Sequence, residues 1–212
     1  MRLATRFLVV ALLSFGLTGL FATGPIAVGL RPASASQDWH LDLEKAMDAV
    51  GVLPGMVVGE AGAGDGYFTL PMARRVGASG QVYANDISTR ALASLAEKAR
   101  RDRLANVFTV EGTIDDPRFP RRDLELVVIV HAFHDFDRPV EWLVNLRKYL
   151  RSGARVAIID LDPEQGAESH FWPRERILGY ASKAGYEPVR IVDDISRHLI
   201  VVLRPGPSTN GS

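Results

Sequence analysis

The ten residues Val57-Val58-Gly59-Glu60-Ala61-Gly62-Ala63-Gly64-Asp65-Gly66 constrain this chain more than any other stretch. A short apolar run passes into a glycine turn with an acid on each side. That is the pattern of a buried strand, a tight turn that a ligand can approach, and the start of a helix. The third glycine follows the second by two residues, so the spacing departs from the G-x-G-x-x-G of dinucleotide sites. An acid directly before the glycines also sits badly beside a pyrophosphate, because like charges meet there. A carboxylate suits a ligand carrying positive charge and hydroxyl groups. Taken alone, the loop indicates a nucleotide-type ligand and no more.

The chain has 212 residues, 47% of them hydrophobic, enough for one domain with a large core. Basic and acidic residues balance at 25 each, so its charge gives nucleic acid no hold as a partner. With no cysteine, disulfides, thiolate metal sites and cysteine nucleophiles are excluded. Residues 1–35 read as a signal peptide: Arg2 and Arg6 precede an apolar run from Phe7 to about Leu30, and Ala33-Ser34-Ala35 is a small-x-small cleavage pattern. An uncleaved membrane anchor is the competing reading, since no charge interrupts the 24 residues between Arg6 and Arg31. Glycines and Pro25 break the run and favour cleavage. Either reading puts the remainder outside the cytoplasm, exported or held at the outer face of the membrane. Without the three arginines of the segment the chain has 22 basic and 25 acidic residues, a net charge of −3.

Residues 36–204 read as one α/β domain and 205–212 as a disordered tail. A leading helix is expected from Asp38 to Val50, strand one at Met56 to Glu60, and a helix from about Gly66 to Val76, where Pro71 demands a late start. A short buried strand, Gln81 to Asn85, ends at Asp86, about twenty residues after the glycine turn, where an acid can grip ribose hydroxyls. As the plainer alternative, Asp86 caps the following helix, Thr89 to Arg101. After a third strand, Asn106 to Glu111, Asp115 and Asp116 are two acceptors for an exocyclic amine or the ordinary acids of an Asp-Asp-Pro turn. Leu124 to Val130 is the most hydrophobic strand and therefore the central one. It runs into His131-Ala132-Phe133-His134-Asp135-Phe136, at the strand end where open α/β sheets bind ligands. A helix at Pro139 to Leu150, a strand at Arg155 to Ile159, a helix at Arg174 to Gly185 and an antiparallel hairpin of Pro188 to Val192 with His198 to Leu203 complete the order. His131, His134, Asp160 and Asp162 include metal-ligand types at adjacent strand ends, in a spacing that matches no known motif.

This layout resembles the seven-stranded class I S-adenosylmethionine-dependent methyltransferases over about residues 40 to 203. The resemblance implies a Rossmann-like, doubly wound, mostly parallel seven-stranded sheet closed by a C-terminal antiparallel hairpin, with S-adenosyl-L-methionine as cofactor. The glycine stretch is similar to the family's motif I, and Val82 to Ile87 to its ribose-binding strand end. Gly112 to Asp116 is similar to its adenine-side loop, and Leu150 to Asp160 to its L-x-P-G-G strand, with Arg151-Ser152-Gly153-Ala154 in place of Pro-Gly-Gly. Val130 to Pro139 resembles small-molecule methyltransferases of the ubiquinone-biosynthesis type, although His131 stands where many relatives carry Asp or Asn. The implied cofactor set is Glu60, Gly62, Gly64, Gly66, Asp86, Ile87, Asp115, Asp116 and His131. In that set Glu60 steers the cationic amino-acid end, largely through bound groups of the glycine loop, Ile87 packs on adenine, and Asp115 or Asp116 meets the adenine amine. His134 is the candidate general base toward a small-molecule acceptor, or a residue that orders its loop. Tyr67, Phe133, Phe136, Phe171 and Trp172 are candidates to line an apolar acceptor pocket. An exported, non-catalytic binder of the same ligand and an NAD-dependent oxidoreductase are the rival readings.

Overall fold

A computed structural model describes residues 40–167 and 170–207. The leader at 1–35 and the last five residues of the tail lie outside the described residues. Among those described, no helix is long and apolar enough to cross a membrane.

Seven strands form one sheet in the order β3-β2-β1-β4-β5-β7-β6. They are β1 (Val57–Ala61), β2 (Gln81–Asp86), β3 (Val107–Glu111), β4 (Leu124–Val130), β5 (Leu150–Leu161), β6 (Tyr186–Ile195) and β7 (His198–Pro205). The pairs from β3 through β5 are parallel, and β7 runs antiparallel to both β5 and β6, which is the expected terminal hairpin. Between them lie α1 (Leu43–Val50), α2 (Thr69–Val76), α3 (Thr89–Arg101), α4 (Pro139–Leu146) and α5 (Arg174–Lys183).

Strand β4 sits at the centre, as its LELVVIV sequence demands, and its alternate residues feed two cores. Val127 and Ile129 pack with Trp142, Leu143 and Leu146 of α4 and Ile177 of α5. Leu126, Val128 and Val130 pack with Met47 and Val50 of α1 and Phe68 and Met72 around α2. Both faces of the sheet are therefore buried at its centre, which is why β4 and β7 read as continuous apolar runs, while the edge strands β3 and β6 are largely exposed. Each such side chain contributes on the order of 1.5–3 kcal/mol by leaving water.

Several element boundaries differ from the sequence reading, each for a local reason. Helix α1 starts at Leu43 because Asp42 caps it, its carboxylate accepting from Lys45 N, and Gly51 ends it with φ of 76°. Helix α2 starts at Thr69, so Pro71 falls in the first turn as required. Helix α4 stops at Leu146 and continues as a 3-10 turn, Arg147–Tyr149. Strand β5 begins five residues earlier than expected, through a register shift opposite Leu124 and Leu126. The β6–β7 hairpin is tighter than expected, turning on Ser196 and Arg197, both left-handed at φ of 50° and 61°. Pro205, assigned to the tail, is still paired with Tyr186.

No helix joins β3 to β4. The loop from Gly112 to Asp123 takes that place and inserts Phe119 against Gly59, where a Cβ would sit 2.9 Å from its ring. The strand order reverses between β1 and β4, so the crevice at their carboxyl ends is where a ligand is expected.

Candidate active site

At that crevice the glycine loop is shaped by three different demands. Gly62, Gly64 and Gly66 have φ of 69°, 52° and 97°, conformations that side chains resist. A Cβ at Gly62 would overlap the Cβ of Ala132, so the loop after β4 presses directly on the loop after β1. A Cβ at Gly66 would overlap Leu95 of α3, whereas Gly64 faces open space.

Asp86 joins this loop to the next element. Its Oδ2 accepts from Gly64 N at 2.8 Å and its Oδ1 from Ser88 N at 2.8 Å. The cap of α3 is Ser88, whose side chain accepts from Ala91 N, so the capping alternative for Asp86 does not hold. Each Asp86 oxygen keeps lone-pair capacity for a ligand hydroxyl. Asn85 donates to Pro117 O at 2.7 Å and lies so close to Gly112 that a Cβ there would overlap it, which fixes the loop after β3.

A cavity of about 350 Å³ opens beside these groups, a volume suited to a small molecule. Gly62, Asp86, Ile87, His131 and Phe136 line it, together with Ile114, Trp142 and the carboxylates of Asp135 and Asp137. No Lys or Arg does. Ile87 and Ile114 are 62% and 43% exposed there, apolar surface left at the cavity mouth.

Three of the acids expected at the cofactor do not line this cavity. Glu60 does not line the cavity: it is 2% exposed and accepts a hydrogen bond from the Thr69 hydroxyl, tying β1 to the start of α2. Burial, with the Asp86 charge adding to it, pushes its pKa up to about 8, which favours the neutral carboxyl. Asp116 turns back to Tyr149 OH at 2.7 Å and Lys148 Nζ at 2.6 Å. Asp115 accepts from Thr113 Oγ1 at 2.8 Å. Of that turn, the cavity takes Thr113 and Ile114 and neither acid. Turn chemistry, the plainer alternative, accounts for both.

The far side of the crevice holds histidines. His131 stands at φ of 50°, a strained position for a non-glycine residue. Its Nε2 lies 2.7 Å from Nε2 of His198, a fully buried residue at the start of β7, and their rings are 24° from coplanar. His198 Nδ1 is 2.7 Å from Ser196 O, which can only accept. Nδ1 of His198 therefore carries its proton, Nε2 of His198 accepts, and His131 donates through Nε2 and keeps the lone pair on Nδ1. Burial, and the proximity of His198, depress the His131 pKa to about 4, so this ring faces the cavity uncharged.

His134 stands behind the cavity wall and is not among its lining residues. Its side chain is 7% exposed, with Nδ1 at 2.6 Å from Oδ2 of the buried Asp160 and its ring edge-on to Phe171 at 4.6 Å. Burial works against its imidazolium, but the hydrogen-bonded Asp160 carboxylate outweighs it and the pKa is raised. Asp162 caps a 3-10 turn through Glu164 N and takes no part. Among the described residues no group of three potential ligands is arranged to hold a metal ion. Of the aromatic candidates, Phe136 reaches the cavity, Tyr67 stacks on His131 at 6.3 Å, and Phe133 and Trp172 are core.

Sequence reasoning missed His198 and the pairing of His134 with Asp160. His198 opens a run of six buried residues, and its only signal was a histidine at the head of an apolar strand.

Comparison with known proteins agrees with this architecture. A methyltransferase domain family model matches residues 58–154. A 2-phytyl-1,4-naphtoquinone methyltransferase of Trichormus variabilis is 28% identical over 118 residues, 55% of this chain and 52% of that protein. The ubiquinone/menaquinone biosynthesis C-methyltransferase of Idiomarina loihiensis is 29% identical over 115 residues, 54% of this chain and 46% of that protein. The chain thus spans about half the length of the curated relatives it matches. The crystal structure of a SAM-dependent methyltransferase from Aquifex aeolicus superposes with a TM-score of 0.71 at 22% identity, over 80% of this chain and 92% of that one. Fibrillarin of Aeropyrum pernix, solved with natively bound S-adenosyl-L-methionine, has a TM-score of 0.61 at 18% identity, over 78% of this chain and 75% of that one. Residues 58–154 of this chain thus match a methyltransferase domain, and its glycine loop, Asp86 and sheet order lie in the fold of the S-adenosylmethionine-dependent methyltransferases.

Proposed function

We propose that this protein transfers a methyl group from S-adenosylmethionine to a small, apolar, ring-bearing acceptor, and that it does so outside the cytoplasm. The observation that carries the cofactor half is the charge of the cavity: Asp86, Asp135 and Asp137 line it and no Lys or Arg does. A phosphate would meet carboxylates there, which disfavours NAD, whereas a sulfonium and an ammonium meet opposite charge.

The residues present fit that group. Asp86 would hold the ribose hydroxyls with lone pairs left over from Gly64 and Ser88. Ile87 and Ile114 offer apolar surface for the flat adenine ring. His131, kept neutral by burial and by His198, adds no positive charge beside the sulfonium. When bound, the cofactor supplies an electrophilic methyl on a cationic sulfur.

The chain's own share is alignment, desolvation and proton removal. His134 is the base in this reading: Asp160 fixes its Nδ1–H and orients the ring, and its Nε2 lies 3.6 Å from the Asp135 carboxylate that lines the cavity, so the acceptor's proton reaches it by way of that carboxylate. Because its pKa is raised, transfer should increase with pH through a limb lying above the ordinary 6.5. The acceptor class is supported by Phe136 and Trp142 in the wall, and by the quinone compounds named for the two curated relatives. Export follows from the leader pattern at residues 1–35.

A labelled-methyl assay with S-adenosylmethionine and a panel of reduced naphthoquinone and benzoquinone analogues tests the reading. Label is expected in at least one apolar ring compound. Cofactor binding with no transfer to any member would replace the enzyme with the binder.

A further inference from the structure

The turn that departs from the family's Pro-Gly-Gly pattern lies at the opposite end of the sheet from the cofactor cavity. There, where β5 begins and β7 ends, a groove of about 820 Å³ is lined by five arginines: Arg147, Arg151, Arg155, Arg190 and Arg204. No Asp or Glu lines it. In a chain of zero formal net charge this is a marked local concentration.

Part of that charge is already answered. Arg151 pairs with Glu125 at 2.8 Å and Arg204 with Glu187 at 2.8 Å. Arg147 donates to Gly185 O at 2.5 Å and Gly206 O at 2.7 Å, just past the end of α5. Arg190 donates to Ala49 O at 3.2 Å, and the Arg155 guanidinium lies against Gly51, both at the end of α1. A helix C-terminus carries roughly half a negative charge, so two of them offset about one of the three guanidiniums that no carboxylate meets. About two positive charges remain in one concave site. Arg155, half-buried, meets no carboxylate among the described residues.

We propose that this groove binds a phosphate-bearing anion. Guanidinium forks match the oxygens of a phosphoryl group or a carboxylate two at a time, and several converging forks suit a phosphoryl group, with three oxygens and up to two charges, better than a single carboxylate or halide. The volume admits a diphosphate or a phosphorylated small molecule rather than one ion. Gly153, left-handed at φ of 76° with open space at its Cβ position, leaves the backbone of the departing turn open beside the guanidiniums. The site is independent of methyl transfer, and its ligand comes either from solution or from a lipid headgroup.

Two arms separate those sources. In the first, inorganic pyrophosphate is titrated calorimetrically into the full chain; in the second, the chain is sedimented with phosphatidylcholine vesicles with and without phosphatidylglycerol. Saturable pyrophosphate binding that weakens at least tenfold in Arg155→Gln/Arg190→Gln is expected, with S-adenosylmethionine affinity unchanged. Because those two side chains also hold the end of α1, Arg151→Gln/Arg204→Gln repeats the test at exposed positions, where a smaller loss is expected. Binding confined to phosphatidylglycerol vesicles and reduced by the same variants assigns the anion to a lipid. No binding in either arm, or binding that both double variants leave intact, overturns the proposal.

Discussion

The two walls of the crevice are built in opposite ways. The glycine-loop wall comes from two short stretches, Gly62 to Gly66 and Asp86 to Ser88, joined by backbone N–H groups on one carboxylate. The histidine wall is held by side-chain pairs, with His131 meeting His198 across 67 positions and, behind it, His134 meeting Asp160 across 26. Backbone geometry sets the first, and side-chain tautomers set the second. A change in the first wall should therefore appear as lost affinity, and a change in the second as lost rate.

The largest expected effect lies in the histidine wall. His134→Ala should lower methyl transfer by roughly 10²–10⁴-fold, the usual worth of a positioned base, and leave the dissociation constant of S-adenosylmethionine within about twofold. Asp160→Asn should lower the rate less and move the pH limb downward, since the carboxylate that raises the His134 pKa is gone. A variant that kept full rate would return His134 to ordering its loop.

Next in size is Gly62→Ala, where a methyl group has no room against Ala132 and the backbone is left-handed. Calorimetry should give cofactor binding weaker by about a hundredfold, from strain on the order of 1–2 kcal/mol plus displacement of the loop after β4. Gly64→Ala, with open space at the same kind of backbone, isolates the strain and should cost about tenfold. Equal losses at the two positions would mean that contact between the walls does not matter.

Asp86→Ala should weaken cofactor binding by about tenfold or more, as the loss of a charged hydrogen-bonding group does. Unchanged affinity would leave Asp86 as a brace between Gly64 and Ser88 only.

The smallest effect separates Glu60 from the walls altogether. Its carboxyl ionises near 4.5 when unfolded and near 8 when folded, so the native state holds the proton longer. Stability is then highest below the unfolded value and falls as pH rises from about 5 to 8. Glu60→Gln, a neutral replacement that keeps an acceptor for Thr69, should flatten that slope in melting experiments. An unchanged slope would show that Glu60 is ionised in the fold.

This contrast also governs what could be read before the structure. Strand order, the central place of β4 and the position of Asp86 at the cavity follow from local pattern, because parallel strands announce themselves as short apolar runs and the glycine turn is contiguous. The partners of the acids were not legible. Asp86 and Glu60 are both acids beside one glycine loop, yet one reaches the cavity and the other is buried under Thr69. Strand register and the entry angle of α2 decide between them, and neither is written in the residue type. The same holds for His198, whose sequence context is that of any buried strand.

The most direct test of the central claim, that this site is built for a phosphate-free cationic adenosyl ligand, is calorimetric titration of the chain with S-adenosylmethionine, S-adenosylhomocysteine and NAD. Saturable binding of the first two and none of the third is the expected result. Binding of NAD alone would contradict the account.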